Sequence, residues 1–361
     1  MPTRTTLAMV QTAPRRLEAR DLPLPEIDAN SALLRIEACG ICGSDVEQFE
    51  GDLRTPMPAI PGHEPLGVIE QIGDGAARRW GVDAGDRVAV ETMLSCRFCP
   101  ACLAGAYHLC HRRRIYSYIG LDQPPGLWGA YAEYMFLDEA SIVHKVDPAL
   151  PAEIAVLFNP LGAGFRWAVE IPRTRPGDTV LILGPGQRGL ASVIACRQAG
   201  AGTIIVTGLA SDARKLALAR EFGADHTIDV ENQDAKTRIR ELTDGRGADV
   251  VVDVTAYATA PVAASLDYAA MGGTIVLAGV KGFKPIDGFV SDKIVLKEIR
   301  VQGAIGVTSS GYESAIRLIE SGRVPVEKMH THEFPLRRAE EAIRTLADGG
   351  SIHSCLVPTK D

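Results

Sequence analysis

The chain has 361 residues, 46% of them apolar and 23% charged, with a formal net charge of −7. That length and composition fit a globular protein of two domains, and the negative balance disfavours nucleic acid or an anionic membrane as partner. No secretion signal and no run of about 20 apolar residues is present, so the eight cysteines point to thiols and metal in a cytoplasmic protein rather than to a disulfide framework.

Leu33 to Ala38 reads as a strand entering the loop Cys39-Gly40-Ile41-Cys42-Gly43-Ser44-Asp45, followed by Glu47 and a proline-rich loop through Pro56, Pro58 and Pro61. Gly62-His63-Glu64-Pro65-Leu66-Gly67 leads into a strand from Val68 to Gly73, and Gly85-Asp86 turns into another from Arg87 to Val90. This part is therefore β-rich, with Gly and Pro turns. Cys42 and His63 are each a suitable zinc ligand. Taken singly, a buried thiol and a hydrogen-bonded core histidine explain them better.

Cys96, Cys99, Cys102 and Cys110 form C-x2-C-x2-C-x7-C. Four thiolates this close surround one tetrahedral zinc and leave no open position, which makes a structural site. Disulfides and an iron–sulfur cluster are the alternatives. Arg112-Arg113-Arg114 reads as a solvated basic face and Trp128 to Phe136 as a turn into a strand. Tyr116, Tyr118 and Trp128 either line a pocket or pack in a core. Ala152 to Val169 reads as a helix broken at Asn159-Pro160-Leu161-Gly162, where the first domain boundary is placed.

Val180 to Leu183 is an apolar run of the kind buried on both faces of a parallel sheet. A helix follows from Leu190 to Ala199, and between them lies Gly184-Pro185-Gly186-Gln187-Arg188-Gly189. In G-x-G-x-x-G the first glycine makes the tight turn, the second admits a pyrophosphate, and the third lets helix pack on strand. The helix N-terminus then holds the phosphates. Further strands are expected at 203–207, 250–254 and 274–278, with helices at 212–222, 234–242 and 261–269. This alternation predicts an α/β, doubly wound parallel sheet. Two more helices are expected at 312–320 and 338–347.

In such a sheet an acid about 20 residues past the turn bonds the adenosine ribose. Gly208 stands there instead, and no Asp or Glu occurs between Gly189 and Asp212. Without the acid, and with Arg214 and Lys215 close behind, NADP is favoured over NAD. The two cations equally suit an exposed helix face, and Asp212 equally suits a helix N-cap.

Gly40-Ile41-Cys42-Gly43-Ser44-Asp45, Gly62-His63-Glu64-Pro65-Leu66-Gly67, the four-cysteine segment and the glycine turn occur in that order. Together they resemble the medium-chain zinc-dependent alcohol and polyol dehydrogenase superfamily over nearly the whole chain. The resemblance implies a Rossmann domain (158–300) inserted in a β-rich, GroES-like catalytic domain (1–157 and 301–361). It also implies a homodimer or homotetramer, and a catalytic zinc acting as Lewis acid on a small alcohol or carbonyl while hydride passes to or from NAD(P). By the same resemblance Cys42 and His63 are ligands and Ser44 takes the alcohol proton. Two positions depart from the pattern. Glu47 replaces a histidine that often ends the proton relay, which leaves it as a carboxylate base or as a solvated acid near the ribose; a Glu there is similar to the glucose dehydrogenase branch. Asn159 stands where relatives offer a charged third ligand, which makes Glu64 the natural substitute, although adjacent residues of a regular strand face opposite ways. A reductase without the catalytic metal, and a non-enzymatic dinucleotide-binding protein keeping only the structural zinc, are the competing readings. The substrate itself is not specified.

Overall fold

The apolar strand Thr179–Leu183 is fully buried and sits inside a six-stranded parallel sheet. The sheet order is His226–Asp229, Thr203–Gly208, Thr179–Leu183, Ala248–Asp253, Ala269–Leu277, Arg300–Gly303. Numbered along the chain this is 3-2-1-4-5-6, the doubly wound order of a Rossmann fold. Helices Gln187–Gln198, Ala213–Glu221, Ala235–Leu242 and Ala260–Tyr268 connect its strands. The first and last strands of this order are absent from the sequence reading. Both are short, polar edge strands, whose exposed face removes the apolar run that marks a buried strand.

The computed structural model describes residues 4–360. The parallel sheet belongs to one unit, Pro160–Ile305 with Gly322–Lys328; the other is Met1–Asn159, Gly306–Ser321 and Met329–Asp361. The second unit is built on a seven-stranded mixed sheet whose centre is Ala32–Ile41. That strand pairs antiparallel with Pro65–Ile72, with Tyr134–Leu137 and, from the far end of the sequence, with His353–Leu356. A separate antiparallel hairpin, Thr5–Ala13 with Arg16–Pro23, lies at the start of the unit. Leu34, Ile36, Ile69, Trp128, Tyr131 and Leu356 share its core.

Two local expectations change. The segment after Cys42, read as loop, is the helix Gly43–Glu50, which Gly43 and the scarcity of apolar residues conceal. The break in the 152–169 segment falls at Val156-Leu157, between helices Ala152–Ala155 and Phe158–Phe165, and not at Asn159 to Gly162. Pro160 lies in the first turn of the second helix, where a missing N–H costs nothing. A π-helical turn, Arg166–Glu170, follows.

Within the mixed-sheet unit one buried carboxylate gathers distant segments. Glu91 Oε2 accepts Tyr107 Oη–H at 2.6 Å, and Oε1 accepts Ser309 Oγ–H at 2.5 Å and faces His144 Nε2 at 2.9 Å. Tyr107 lies between the third and fourth cysteines, and its oxygen also accepts the Ser309 N–H at 2.7 Å. Glu91 thereby ties the cysteine lobe to the helix Ser309–Glu320. Replacing it by Ala removes the acceptor of three half-buried polar groups, Tyr107, His144 and Ser309. We expect Glu91→Ala to cost about 3 kcal/mol, read as a lower urea midpoint, with Glu91→Gln recovering part of the loss.

Candidate functional site

The strand Ala32–Ile41 ends next to Cys42, which is the N-cap of helix Gly43–Glu50. Asp45, three residues on, closes a capping box: its Oδ2 accepts the Cys42 N–H at 2.9 Å. The cap fixes where the thiol projects. Cys42 Sγ lies 3.3 Å from His63 Nε2, and Ser44 Oγ lies 3.0 Å from Cys42 Sγ and 3.1 Å from His63 Nε2. Two donors of zinc-ligand type and one hydroxyl thus converge on one point.

Asp45 also meets the other side of the imidazole. Its Oδ1 stands 3.4 Å from His63 Nδ1, and both side chains are buried. Neither atom has another hydrogen-bond partner among the described residues, and the contact is an ion pair when His63 is protonated. Cys42, Asp45 and His63 form one cluster of potential metal donors. Asp45 is better placed as the group behind the histidine than as a ligand, because one oxygen is held by the helix cap and the other faces Nδ1. Burial pushes the His63 pKa down, but Asp45 and then Cys42 outweigh it and hold it well above the ordinary value. Asp45 and Cys42 thus favour positive charge on the His63 ring.

The sequence motif contained Asp45 without assigning it a role; its spacing of three from Cys42 is the signal that reveals it. Tyr118 joins the site, its ring 5.9 Å from His63, and burial pushes its hydroxyl up to about 12. Tyr116 and Trp128 are core residues: Tyr116 Oη bonds Ser141 Oγ at 2.7 Å, and Trp128 packs edge-on against Phe136.

The two candidates for a third ligand are both buried. Glu64 turns its carboxylate toward Gly40, where an added Cβ would meet Glu64 Oε2 at 2.4 Å. Asn159 Nδ2 donates to Tyr312 Oη at 3.2 Å; Tyr312 Oη is 3.3 Å from Thr92 Oγ1, which donates to the His63 carbonyl at 3.0 Å. Glu64 is not part of the Cys42–Asp45–His63 cluster. Glu47 is buried on the same helix as Ser44, one turn on. Burial, then Asp52 and Asp45, push its pKa up to about 7.

Cys96, Cys99, Cys102 and Cys110 form the other donor cluster, with all four sulfurs within 4.8 Å of one another. The four carry no disulfide. Against burial, local backbone N–H groups and neighbouring sulfurs lower Cys96 to about 6, whereas burial and the neighbouring sulfurs push Cys102 up to about 11.

In the parallel sheet, Gly184 has φ +101°, and a Cβ on Gly189 would come within 1.9 Å of Gly184 O. Gly186 caps the helix Gln187–Gln198, and a Cβ there would meet nothing within 4 Å. This open cradle at a helix N-terminus fits a pyrophosphate. Gln187 is buried, and the Arg188 guanidinium lies 5.5 Å from the Trp167 ring centroid. Gly208 ends the next strand. Of the two cations behind it, Lys215 Nζ is held by Asp212 Oδ1 at 2.9 Å, whereas Arg214 is exposed.

A Rossmann sheet with its phosphate turn, a paired cysteine and histidine and a four-thiol cage define a zinc-binding dehydrogenase. Residues 28–148 match the alcohol dehydrogenase GroES-like domain family, and residues 189–321 match the zinc-binding dehydrogenase family. A probable alcohol dehydrogenase of Mycobacterium tuberculosis is 48% identical, covering 97% of this chain and 98% of that protein. An erythritol/L-threitol dehydrogenase of Mycolicibacterium smegmatis is 35% identical over 97% of both. The crystal structure of a putative zinc-binding dehydrogenase from Sinorhizobium meliloti bound to NADP superposes with a TM-score of 0.86 at 27% identity, covering 98% of this chain and 100% of that one. The chain belongs to the medium-chain zinc-dependent alcohol dehydrogenase superfamily.

Proposed function

We propose that this chain is an NAD(P)-dependent oxidoreductase that interconverts a small alcohol or polyol and its carbonyl. The observation that carries this reading is the convergence of Cys42 Sγ, His63 Nε2 and Ser44 Oγ within 3.3 Å of one another. Relatives named for alcohol and polyol dehydrogenation support the substrate class. Cys42 and His63 would hold a zinc ion, with a third donor drawn from Glu64 and Asn159. Bound there, zinc supplies Lewis acidity toward the substrate oxygen. Asp45 holds His63 with Nε2 turned to the site and balances the charge behind it. Ser44 Oγ takes the alcohol proton. Glu47, one helical turn away, receives it through Ser44 or water, and its pKa of about 7 suits a general base near neutral pH. The four-cysteine cage would hold a structural zinc. Gly184, Gly186 and Gly189 would seat the dinucleotide, with Gln187 and Arg188 beside the phosphates. NADP is the finer reading: Gly208 carries no acid, Arg214 is exposed, and the Sinorhizobium meliloti structure binds NADP.

Metal analysis of the purified protein is expected to give two zinc ions per chain. Cys42→Ser should keep the cage zinc, lose the other and abolish alcohol oxidation against a panel of alcohols with both cofactors. Full turnover in that variant would refute the proposal. Because Glu47 must be ionised to accept a proton, kcat/KM for oxidation should fall about tenfold per unit below pH ~7. Glu47→Gln should flatten that limb; an unaltered acid limb would remove Glu47 from the relay.

We also propose that a second copy pairs along the edge strand Arg300–Gly303. The strand ends the parallel sheet with an open row of backbone groups. The preceding helix Asp292–Lys297 leaves Val295 and Leu296 74% and 75% exposed. Light scattering should report an oligomer for the natural chain and a monomer for Leu296→Glu; equal masses would argue against this face.

A further inference from the structure

Position 208 is where a dinucleotide fold ordinarily carries the acid that bonds the adenosine ribose. Here local packing works against any side chain. A Cβ on Gly208 would lie 2.8 Å from Pro185 Cγ, in the phosphate turn itself, and 3.2 Å from Leu216 Cδ2. Proline in the turn and an acid at 208 do not coexist unless the turn shifts.

The neighbouring parallel strand brings a different carboxylate to the same place. Gly208 is in register with Asp229, and the Val230 N–H donates to the Gly208 carbonyl at 3.0 Å. Glu231 is thereby carried back over the loop that follows Gly208. Its Oε2 accepts the Ala210 N–H at 2.8 Å, while its own N–H donates to Asp229 Oδ1 at 3.0 Å. The adjacent Leu209 N–H is taken by Asp212 Oδ2 at 3.1 Å, and Asp212 in turn engages Lys215. Of the charges around this loop, Glu231 and Arg214 form no ion pair among the described residues.

We propose that Glu231 is the residue that discriminates between the two nicotinamide cofactors. Its carboxylate replaces the missing acid as acceptor for the adenosine ribose hydroxyls. It also occupies the Ala210 N–H, a donor that a 2′-phosphate would use, and repels that phosphate. Arg214 pulls in the other direction. This inference rests on the dinucleotide reading proposed above and refines it: the absence of an acid at 208 opens the site to NADP, and Glu231 sets how far the preference moves.

The test is fluorescence titration of the full chain with NADH and with NADPH, for the natural protein, E231Q and R214Q, with thermal midpoints as a control on folding. E231Q should raise the NADPH/NADH affinity ratio about tenfold, the order expected of one like-charge contact in a near-aqueous dielectric. R214Q should lower the ratio. Affinities that change in equal proportion for both cofactors, or not at all, would overturn the inference and leave Glu231 as a loop cap. If the natural chain binds neither cofactor, the dinucleotide reading itself falls, and this inference with it. If it binds both and E231Q leaves the ratio unmoved, only the role of Glu231 falls.

Discussion

The Asp45 carboxylate is the constraint on which the mixed-sheet site depends. One oxygen holds the Cys42 N–H and so starts the helix Gly43–Glu50. The other faces the imidazole of His63, which arrives from a separate loop. Helix start, thiol direction and ring orientation are set by a single buried side chain. Ser44 and Glu47 take their places from the helix that this cap begins. A change at Asp45 would therefore act on every group of the site at once, without touching a substrate.

The legible parts of the sequence were those where one local pattern carries the physics. The strand, glycine turn and helix around Gly184 to Gly189 could be read because turn, phosphate approach and packing each demand glycine at a fixed offset. The four-cysteine segment was legible because its spacing keeps four sulfurs within reach of one point, and the four sulfurs lie within 4.8 Å of one another. The family resemblance followed from the order of these motifs and agrees with the matched families.

What escaped the sequence came from pairing across distance or from weak local signals. The edge strands His226–Asp229 and Arg300–Gly303 lack apolar runs because solvent reaches them. The helix after Cys42 is short and polar, and its start is fixed by a cap rather than by periodicity. Asp45 lay within a recognised motif, yet its two-sided role needs His63 beside it, and nothing local gives that. Likewise the chain between Gly189 and Asp212 carries no acid of its own. A carboxylate from the next strand reaches the same loop only through sheet register.

One strand of the mixed sheet has a consequence for biosynthesis. His353–Leu356 is an interior strand, set between His330–Phe334 and Ala32–Ile41. It emerges from the ribosome only after the entire parallel sheet. The parallel sheet is contiguous in sequence and can consolidate while translation continues, since domains fold as units during synthesis. The mixed sheet must wait with the Cys39 to Ile41 end of its central strand open on one side, exposing an aggregation-prone edge. In the nascent chain, the later-made unit is the first able to close.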